Sequence, residues 1–321
     1  MRFGYNGRRA PTGGAPQDKM PMRYPITRPV AQLYRPAATL RIRPRTAGNY
    51  VQECNHVYAE AHGVGLVMDV FRPEGAPNGL GVVDVISGGW HSDRVLLNNH
   101  LGLGVMDALC ARGFTVFAVS PGSVTKFTAF NMVRHVQEAL RHIKAHAADF
   151  SVDPNRLGLI GASAGGHLAA LAALDPLPAH PHSRDPFRMH DTAVRAAALF
   201  FPPTDLLDYG AQAFDFVKAE GFPLMRLLVE DSAPPPNPQK VRELLEALSP
   251  TRQVRAAPPP FLLIHGDADV IVPVSQSEKL AAALRAAGGT ADVIIKPGGG
   301  HPWPDIHNDI ERMADWLAAH L

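Results

Sequence analysis

The chain has 321 residues, of which 46% are hydrophobic, and a formal net charge of +1. This length can bury one large core, or one domain with a small insertion. The near-neutral balance argues against a general polyanion binder, and two cysteines are too few for a disulfide framework. We expect Cys54 and Cys110 to be buried free thiols.

The charge is unevenly distributed. Residues 1–48 carry ten basic side chains, one acidic side chain and seven prolines, for a net charge of +9, and the rest of the chain carries −8. Prolines interrupt any helix in this segment. We predict a flexible or draped basic extension at 1–48, followed by one domain at 49–321. The alternatives are a segment that binds nucleic acid or an anionic surface, or an N-terminal element that packs through Tyr34, Leu40 and Ile42.

The chain lacks an apolar run of about 18 residues, so we expect no membrane span. The N-terminus also lacks the apolar segment of a secretory signal. The default expectation is a cytoplasmic protein that does not bind nucleic acid.

From residue 50 onward, short apolar runs alternate with helical patterns. Strands are predicted at 82–86, 114–119, 157–160, 196–201, 261–264 and 293–295. Helices are predicted near 95–112, 128–149, 164–174, 275–287 and 305–320. This alternation predicts an α/β fold with a mostly parallel sheet covered on both faces.

Residues 204–256 interrupt the alternation. They contain helical patterns at 214–220 and 240–248 and a proline run at 234–236. We interpret this segment as a small helical insertion over the mouth of the site.

The segment G-A-S-A-G at 161–165 is the strongest chemical signal. It follows the strand at 157–160 and precedes an apolar helical run, which is the strand–turn–helix context that a G-x-S-x-G nucleophile requires. The turn is so tight that its flanking positions tolerate little side chain, and the serine stands at the tip in a strained conformation. Ser163 is therefore the candidate nucleophile.

A serine hydroxyl needs a base, normally a histidine oriented by a carboxylate. In this arrangement the acid and then the histidine follow the serine along the chain. Asp267 and Asp269 follow one predicted strand and His301 follows the last one. All lie at carboxyl ends of strands, where open parallel sheets place their sites. The residues alone leave both aspartates open.

An oxyanion formed at the site needs two preorganised N–H donors. One is expected from Ala164, the residue after the serine. The loop S-G-G-W at 87–90 follows a predicted strand and supplies the other, with the Trp90 N–H as first choice and Gly89 as the alternative.

Four segments resemble the esterase/lipase branch of the α/β-hydrolases, and most nearly the bifunctional feruloyl and acetyl xylan esterases. They are G-A-S-A-G-G-H at 161–167, H-G-D-A-D at 265–269, V-P-V-S-Q-S at 272–277 and P-G-G-G-H at 297–301. The resemblance covers about residues 50–321. It implies an α/β-hydrolase fold, Asp269 as the catalytic acid, and oxyanion donors from Trp90 and Ala164. The chain departs from the family's H-G-G-G-W, because Ile86 and Ser87 stand where His-Gly is usual. Asn131 also stands where related chains often carry Asp.

The resemblance predicts a serine carboxylesterase acting on short or aromatic acyl esters, including acetyl or feruloyl esters of plant polysaccharides, without metal or organic cofactor. An aromatic, proline-lined rim is expected to bind substrate. Its residues are Trp90, Phe201, Pro202, Pro203, Val270 and Trp303. An amidase, exopeptidase or aryl-formamidase of the same fold is the alternative. A non-catalytic ligand-binding protein is the alternative from another class.

Histidine pairs raise the question of a metal site. His142 and His146 are four residues apart, but no Glu follows His142 as H-E-x-x-H requires. We expect both on a solvated helix face, and His180 and His182 in a loop.

Overall fold

The structure, a computed structural model, describes residues 49–210, 227–229 and 236–321. At its centre is an eight-stranded sheet in the order β1-β2-β4-β3-β5-β6-β7-β8. The strands are β1 (Tyr50–Ala61), β2 (Val64–Pro73), β3 (Gly79–Val85), β4 (Thr115–Val119), β5 (Val152–Ala162), β6 (Ala196–Phe200), β7 (Phe261–Gly266) and β8 (Ala291–Lys296). β2 pairs antiparallel with β1 and β4, and the other pairs are parallel. The predicted mostly parallel sheet is confirmed.

Every residue of β4, β6 and β7 is buried. Such continuously buried, mainly apolar runs are typical of parallel strands covered on both faces, which is why the sequence pattern found them. The edge strand β1 was not predicted, since its pairing with β2 shifts register twice. Such irregularities break the alternation by which a half-exposed strand is recognised.

The helices cover both faces of the sheet. They are α1 (Arg94–Leu103), α2 (Val105–Cys110), α3 (Ala129–Ala145), α4 (Ala164–Leu174), α5 (Pro238–Ala247), α6 (Pro250–Gln253), α7 (Ser275–Ala286) and α8 (Ile306–His320), with a 3₁₀ turn at Pro186–Met189. The single helix predicted at 95–112 is wrong in one respect, because Gly104, at φ 84°, ends α1 and begins α2. A left-handed residue cannot continue a right-handed helix.

Two predicted segments fall outside this description. The basic extension at 1–48 and the helical piece at 214–220 lie outside the described residues. The division into extension, domain and insertion therefore stays a prediction.

The core forms a layer on each face of the sheet. Val83 and Val85 of β3 pack into the layer that contains α3 and α4. Val82 and Ile86 pack into the layer that contains α1, α2 and α8. Because successive strand side chains point to opposite faces, Asp84 belongs to the second layer.

Two expectations about polar side chains are corrected. Cys110 is a buried free thiol, but Cys54 is exposed because it lies on the edge strand β1.

His142 and His146 do not lie on a solvated face. Their half-buried rings are 4.4 Å apart, and both pack against Phe187. Burial lowers the pKa of His142 to about 4, with a smaller contribution from the neighbouring His146.

No helix in the described ranges is long and apolar enough to cross a bilayer.

Candidate active site

Ser163 stands at the turn between β5 and α4. Its backbone has φ 54° and ψ −124°, a sparsely populated conformation for a residue other than glycine. Its N–H donates to the carbonyl of Phe200 at 2.9 Å, and its own carbonyl accepts the first helical hydrogen bond, from His167 at 3.0 Å. These bonds hold the strained serine between the end of the sheet and the start of the helix.

The glycines on either side of Ser163 are required by close backbone contacts. A Cβ on Gly165 would lie 2.2 Å from the carbonyl oxygen of Val85, and a Cβ on Gly161 would lie 2.6 Å from the carbonyl group of Gly165. Both distances are well below van der Waals contact. The turn can therefore form only if both positions lack a side chain.

Asp269 and His301 form a hydrogen-bonded pair at the carboxyl ends of β7 and β8. His301 Nδ1 lies 2.6 Å from Asp269 Oδ2. The other carboxylate oxygen, Oδ1, accepts the N–H groups of Ile271 and Val272 at 2.8 and 2.9 Å. The side chain of Asp269 is fully buried and that of His301 is 13% exposed. The acid thus fixes Nδ1 of His301, and no hydrogen bond among the described residues engages Nε2.

Burial raises the pKa of Asp269, but hydrogen bonds from His265, His301 and the Val272 N–H lower it more, and the net pKa lies well below its usual value. The carboxylate therefore stays ionised at neutral pH. His265 Nε2 is 3.5 Å from Asp269 Oδ2 and 2.8 Å from the carbonyl of Val272. His265 therefore stabilises the loop that carries Asp269.

Asp267 has a different environment from Asp269. Its Oδ1 accepts the N–H of Gly298 at 2.6 Å, and so it connects the β7 loop to the β8 loop. The two loops also meet through the backbone, where a Cβ on Gly266 would lie 2.1 Å from the carbonyl of Gly299. Of the two aspartates left open by the residues alone, Asp269 contacts the histidine and Asp267 shapes the loop.

Ser163 and the His301 loop meet at one cavity of about 500 Å³, which both Ser163 and Pro302 line. Phe201 lines it too, and its ring centroid is 4.2 Å from that of His301. Among the hydrogen bonds of the described residues, none joins Ser163 to His301. Such bonds are often long or misaligned until substrate is bound.

The loop after β3 forms a tight hairpin beside Ser163. Gly88 and His91 exchange backbone hydrogen bonds of 2.9 and 3.0 Å. The residues between them, Gly89 and Trp90, have φ values of 54° and 58°, as a type I′ turn requires. Both candidate donors of this loop thus lie at the turn. The third candidate, Ala164, is the first residue of α4, where helix N–H groups have no partner within the helix.

The buried His167 links this hairpin to α4, a connection that the sequence analysis missed. Its Nδ1 accepts the indole N–H of Trp90 at 3.1 Å, and its Nε2 lies 2.7 Å from the carbonyl of Leu248. One accepting and one donating nitrogen require the neutral ring. Burial lowers its pKa to about 4, against a partial rise from the Leu248 bond. The available signal was a histidine directly after the nucleophile motif, inside an apolar helix.

Of the residues expected at the substrate-binding rim, Phe201 lines the cavity. Trp90, Pro202 and Pro203 are buried, as Phe201 is, and lie outside this lining, so their contact with substrate stays a prediction. Trp303 is 3% exposed and its indole N–H donates to Asp309 at 2.9 Å, so it packs in the core behind the cavity lining, and its contact with substrate stays a prediction. Val270 is 93% exposed. Its contact with substrate stays a prediction.

The part of the chain that the structure describes contains no cluster of three His, Cys, Asp or Glu side chains able to hold a metal ion.

A family model, BD-FAE, the bifunctional feruloyl/acetyl xylan esterases, matches residues 68–284, which is more than half of the chain. The chain belongs to the BD-FAE family.

Curated relatives of this BD-FAE member match it over parts of their length. Esterase LipQ of Mycobacterium tuberculosis is 37% identical over 158 residues, 48% of this chain and 34% of that protein. The probable carboxylic ester hydrolase LipM of the same organism is 32% identical over 182 residues, 56% of this chain and 40% of that protein. An acetylxylan esterase of Xylanibacter ruminicola is 25% identical over 78% of this chain and 47% of its own length. The chain thus spans less than half the length of each of these relatives.

Solved structures match most of the described fold. A truncated carbohydrate esterase from gut microbiota superposes with a TM-score of 0.68 at 23% identity, over 85% of this chain and 98% of that one. An esterase of the Planctomycetes species Thermogutta terrifontis gives a TM-score of 0.63 at 23% identity, over 87% of this chain and 97% of that one. At this identity the likeness concerns the fold. The predicted α/β-hydrolase fold of this BD-FAE protein is confirmed.

Proposed function

We propose that this BD-FAE protein is a serine carboxylesterase that hydrolyses short or aromatic acyl esters through an acyl-enzyme. The observation that carries the proposal is the 2.6 Å bond between His301 and a buried, ionised Asp269, in loops that meet the strained Ser163 at one cavity. The names of its esterase and acetylxylan esterase relatives support the same reaction class.

In the proposed reaction, the Oγ of Ser163 attacks the ester carbonyl carbon while Nε2 of His301 takes the hydroxyl proton. Asp269 holds the ring tautomer that leaves Nε2 free and stabilises the imidazolium. Collapse of the tetrahedral intermediate expels the alcohol, which receives the proton from His301. Water then attacks the acyl-enzyme by the same proton transfers and releases the acid.

The negative charge of the tetrahedral intermediate lies on the former carbonyl oxygen. We assign its hydrogen-bond donors to the N–H of Ala164 and the N–H of Trp90, with Gly89 as the alternative to Trp90. A donor of this kind typically contributes 10²–10³ in turnover, about 3 to 4 kcal/mol. The hairpin fixes both loop donors before substrate arrives, so little reorganisation is needed during the reaction.

The proposed substrates are acetyl and feruloyl-type esters of plant polysaccharides. This finer assignment is supported by the family and by an acetylxylan esterase among the relatives. A cavity of about 500 Å³ has the size of an ordinary small-molecule site and accommodates an aryl acyl group.

The test is hydrolysis of p-nitrophenyl acetate, butyrate, octanoate and dodecanoate, together with methyl ferulate and acetylated xylan. We expect kcat/KM to be highest for short or aromatic acyl groups, and activity to be absent in Ser163→Ala. Hydrolysis of none of these esters, or a clear preference for the longest chain, would contradict the proposal.

A further inference from the structure

The cavity at Ser163 extends along the sheet face that α1, α2 and α8 cover. It is lined mainly by apolar side chains, including Leu96, Leu103, Ile160, Ile306 and Met313. Polar side chains interrupt this lining: Asp84 and Ser87 lie on or just after β3, and Asn98, Asn99 and His100 belong to α1.

Asp84 is a fully buried carboxylate with one unsatisfied oxygen. Its Oδ2 lies 2.7 Å from His100 Nδ1, whereas its Oδ1 has no hydrogen-bond partner among the described residues. The buried hydroxyl of Ser87 likewise has no partner within the described residues. Buried polar atoms are nearly always paired, so two unpaired ones in a single cavity indicate a site that receives a polar ligand group.

His100 holds the carboxylate in place. Burial lowers its pKa, but the charge of Asp84 and the hydrogen bond to it raise that pKa more, and the net value lies above the ordinary one. The imidazole contacts Oδ2 and leaves Oδ1 without a partner among the described residues, on a side chain that lines the cavity. A carboxylate that keeps one acceptor oxygen in an apolar wall is a strong site for an O–H donor.

The distance between Asp84 and Ser163 follows from the register of the sheet. Asp84 of β3 pairs with Ile160 of β5, three residues before Ser163. At the usual rise of a strand this places it roughly 10 Å from the nucleophile along the strand direction. The alcohol must leave before water attacks, whereas the acyl group stays attached to Ser163. A cavity that runs back under the helices therefore suits the acyl group.

We propose that Asp84, positioned by His100, is the specificity-determining residue of this cavity and binds a hydroxyl group at the far end of the acyl chain. The proposal rests on the esterase activity proposed above. It predicts that the enzyme distinguishes a terminal hydroxyl from a methyl group of the same size.

The test uses methyl esters of acetic, propanoic and butanoic acids that carry a 4-hydroxyphenyl group at the far end of the acyl chain. Each ester is compared with the ester of the same chain length that carries a 4-methylphenyl group instead. In the wild-type enzyme we expect kcat/KM to favour the hydroxyl ester by roughly tenfold or more at the chain length that reaches Asp84. Both esters are measured on one preparation, so their ratio is unaffected by a partial loss of folded enzyme.

Two variants test whether the preference for the hydroxyl ester depends on Asp84 and His100. Asp84→Asn should lower the hydroxyl preference several-fold. The double variant Asp84→Leu/His100→Leu removes both polar partners and should favour the methyl ester. Asp69→Asn is the matched control, because Asp69 is also a fully buried strand carboxylate but is bonded to Gln52, Asn55 and Arg94 away from the cavity. It should keep the wild-type ratio.

The outcomes separate the two proposals. Hydrolysis of both esters at equal kcat/KM at every chain length, or an unchanged preference in both Asp84 variants, would overturn the role of Asp84 and leave the esterase intact. Hydrolysis of neither ester by the wild-type enzyme, with no activity on p-nitrophenyl acetate, would overturn both.

Discussion

The N–H of Gly165 donates a 2.9 Å hydrogen bond to the carbonyl oxygen of Ser87. This bond joins the turn that carries Ser163 to the hairpin that carries Gly89 and Trp90. The proposed nucleophile and the proposed oxyanion donors of the hairpin therefore come from segments that are far apart in the chain and are joined by this backbone contact. A change at Gly165 should disturb both at once.

Gly165→Ala should destabilise the protein by about 3 kcal/mol and abolish most activity. The new Cβ would lie 2.2 Å from the carbonyl of Val85, so the helix and strand must separate. Urea unfolding measures the free energy. Gly75→Ala is the control, since its Cβ meets nothing within 4 Å, and its stability should change by less than about 0.5 kcal/mol. Equal stability of the two variants would argue against the close approach.

Asp269→Asn and Asp267→Asn form a matched pair of isosteric changes in one loop. Asp269→Asn should lower kcat by about 10³–10⁴, because the amide no longer fixes the productive histidine tautomer. Asp267→Asn should lower kcat by less than about tenfold, since its amide oxygen can still accept the Gly298 N–H. Steady-state kinetics on p-nitrophenyl acetate measure kcat for both variants. A larger loss at Asp267 than at Asp269 would reverse the assignment.

Trp90→Phe tests the link between the hairpin and α4. It leaves the buried Nδ1 of His167 without its donor, so unfolding free energy should fall by about 1–3 kcal/mol. We also expect kcat to fall more than KM rises, because the hairpin no longer holds its N–H groups rigidly. Trp316→Phe removes an indole bond to Asp292 in an exposed pair and should cost less. A Trp90→Phe protein as stable and active as the Trp316→Phe protein would contradict the structural role of the link.

The pKa of His167, lowered from 6.5 to about 4, makes stability depend on pH. Between these values the unfolded chain binds a proton that the folded protein does not, so unfolding free energy should fall as the pH drops through this window. The maximum effect is about 3 kcal/mol. In His167→Gln this titration is absent, and its stability should depend less on pH. Parallel pH–stability curves for the two proteins would show that His167 does not titrate in this way.

The sequence predicted the parts of the fold that depend on local pattern. The strands at 114–119 and 261–264 are buried and almost entirely apolar because both sheet faces are covered. The helix at 164–174 was predicted to the residue, since the tight turn at Ser163 fixes where it begins. The edge strand β1 was missed because its bulges and exposure leave no regular alternation.

Long-range contacts within the site could not be predicted in the same way. The bond between Trp90 and His167 joins residues 77 positions apart, and no spacing rule links them. The cavity position of Asp84 depends on helices α1 and α8 covering that face of the sheet, which strand alternation alone does not establish. Trp303 was expected at the rim from the family resemblance, but the indole N–H donates to Asp309 within the core, a contact that the sequence pattern does not reveal.

Labelling with a fluorophosphonate tests the role of Ser163 most directly. Intact-mass analysis and peptide mapping of the wild-type protein should show one adduct, on Ser163, formed at the rate at which p-nitrophenyl acetate hydrolysis is lost. Ser163→Ala should show neither adduct nor activity while unfolding with the same cooperativity. An adduct on a different serine, or wild-type rates of ester hydrolysis in Ser163→Ala, would contradict the account.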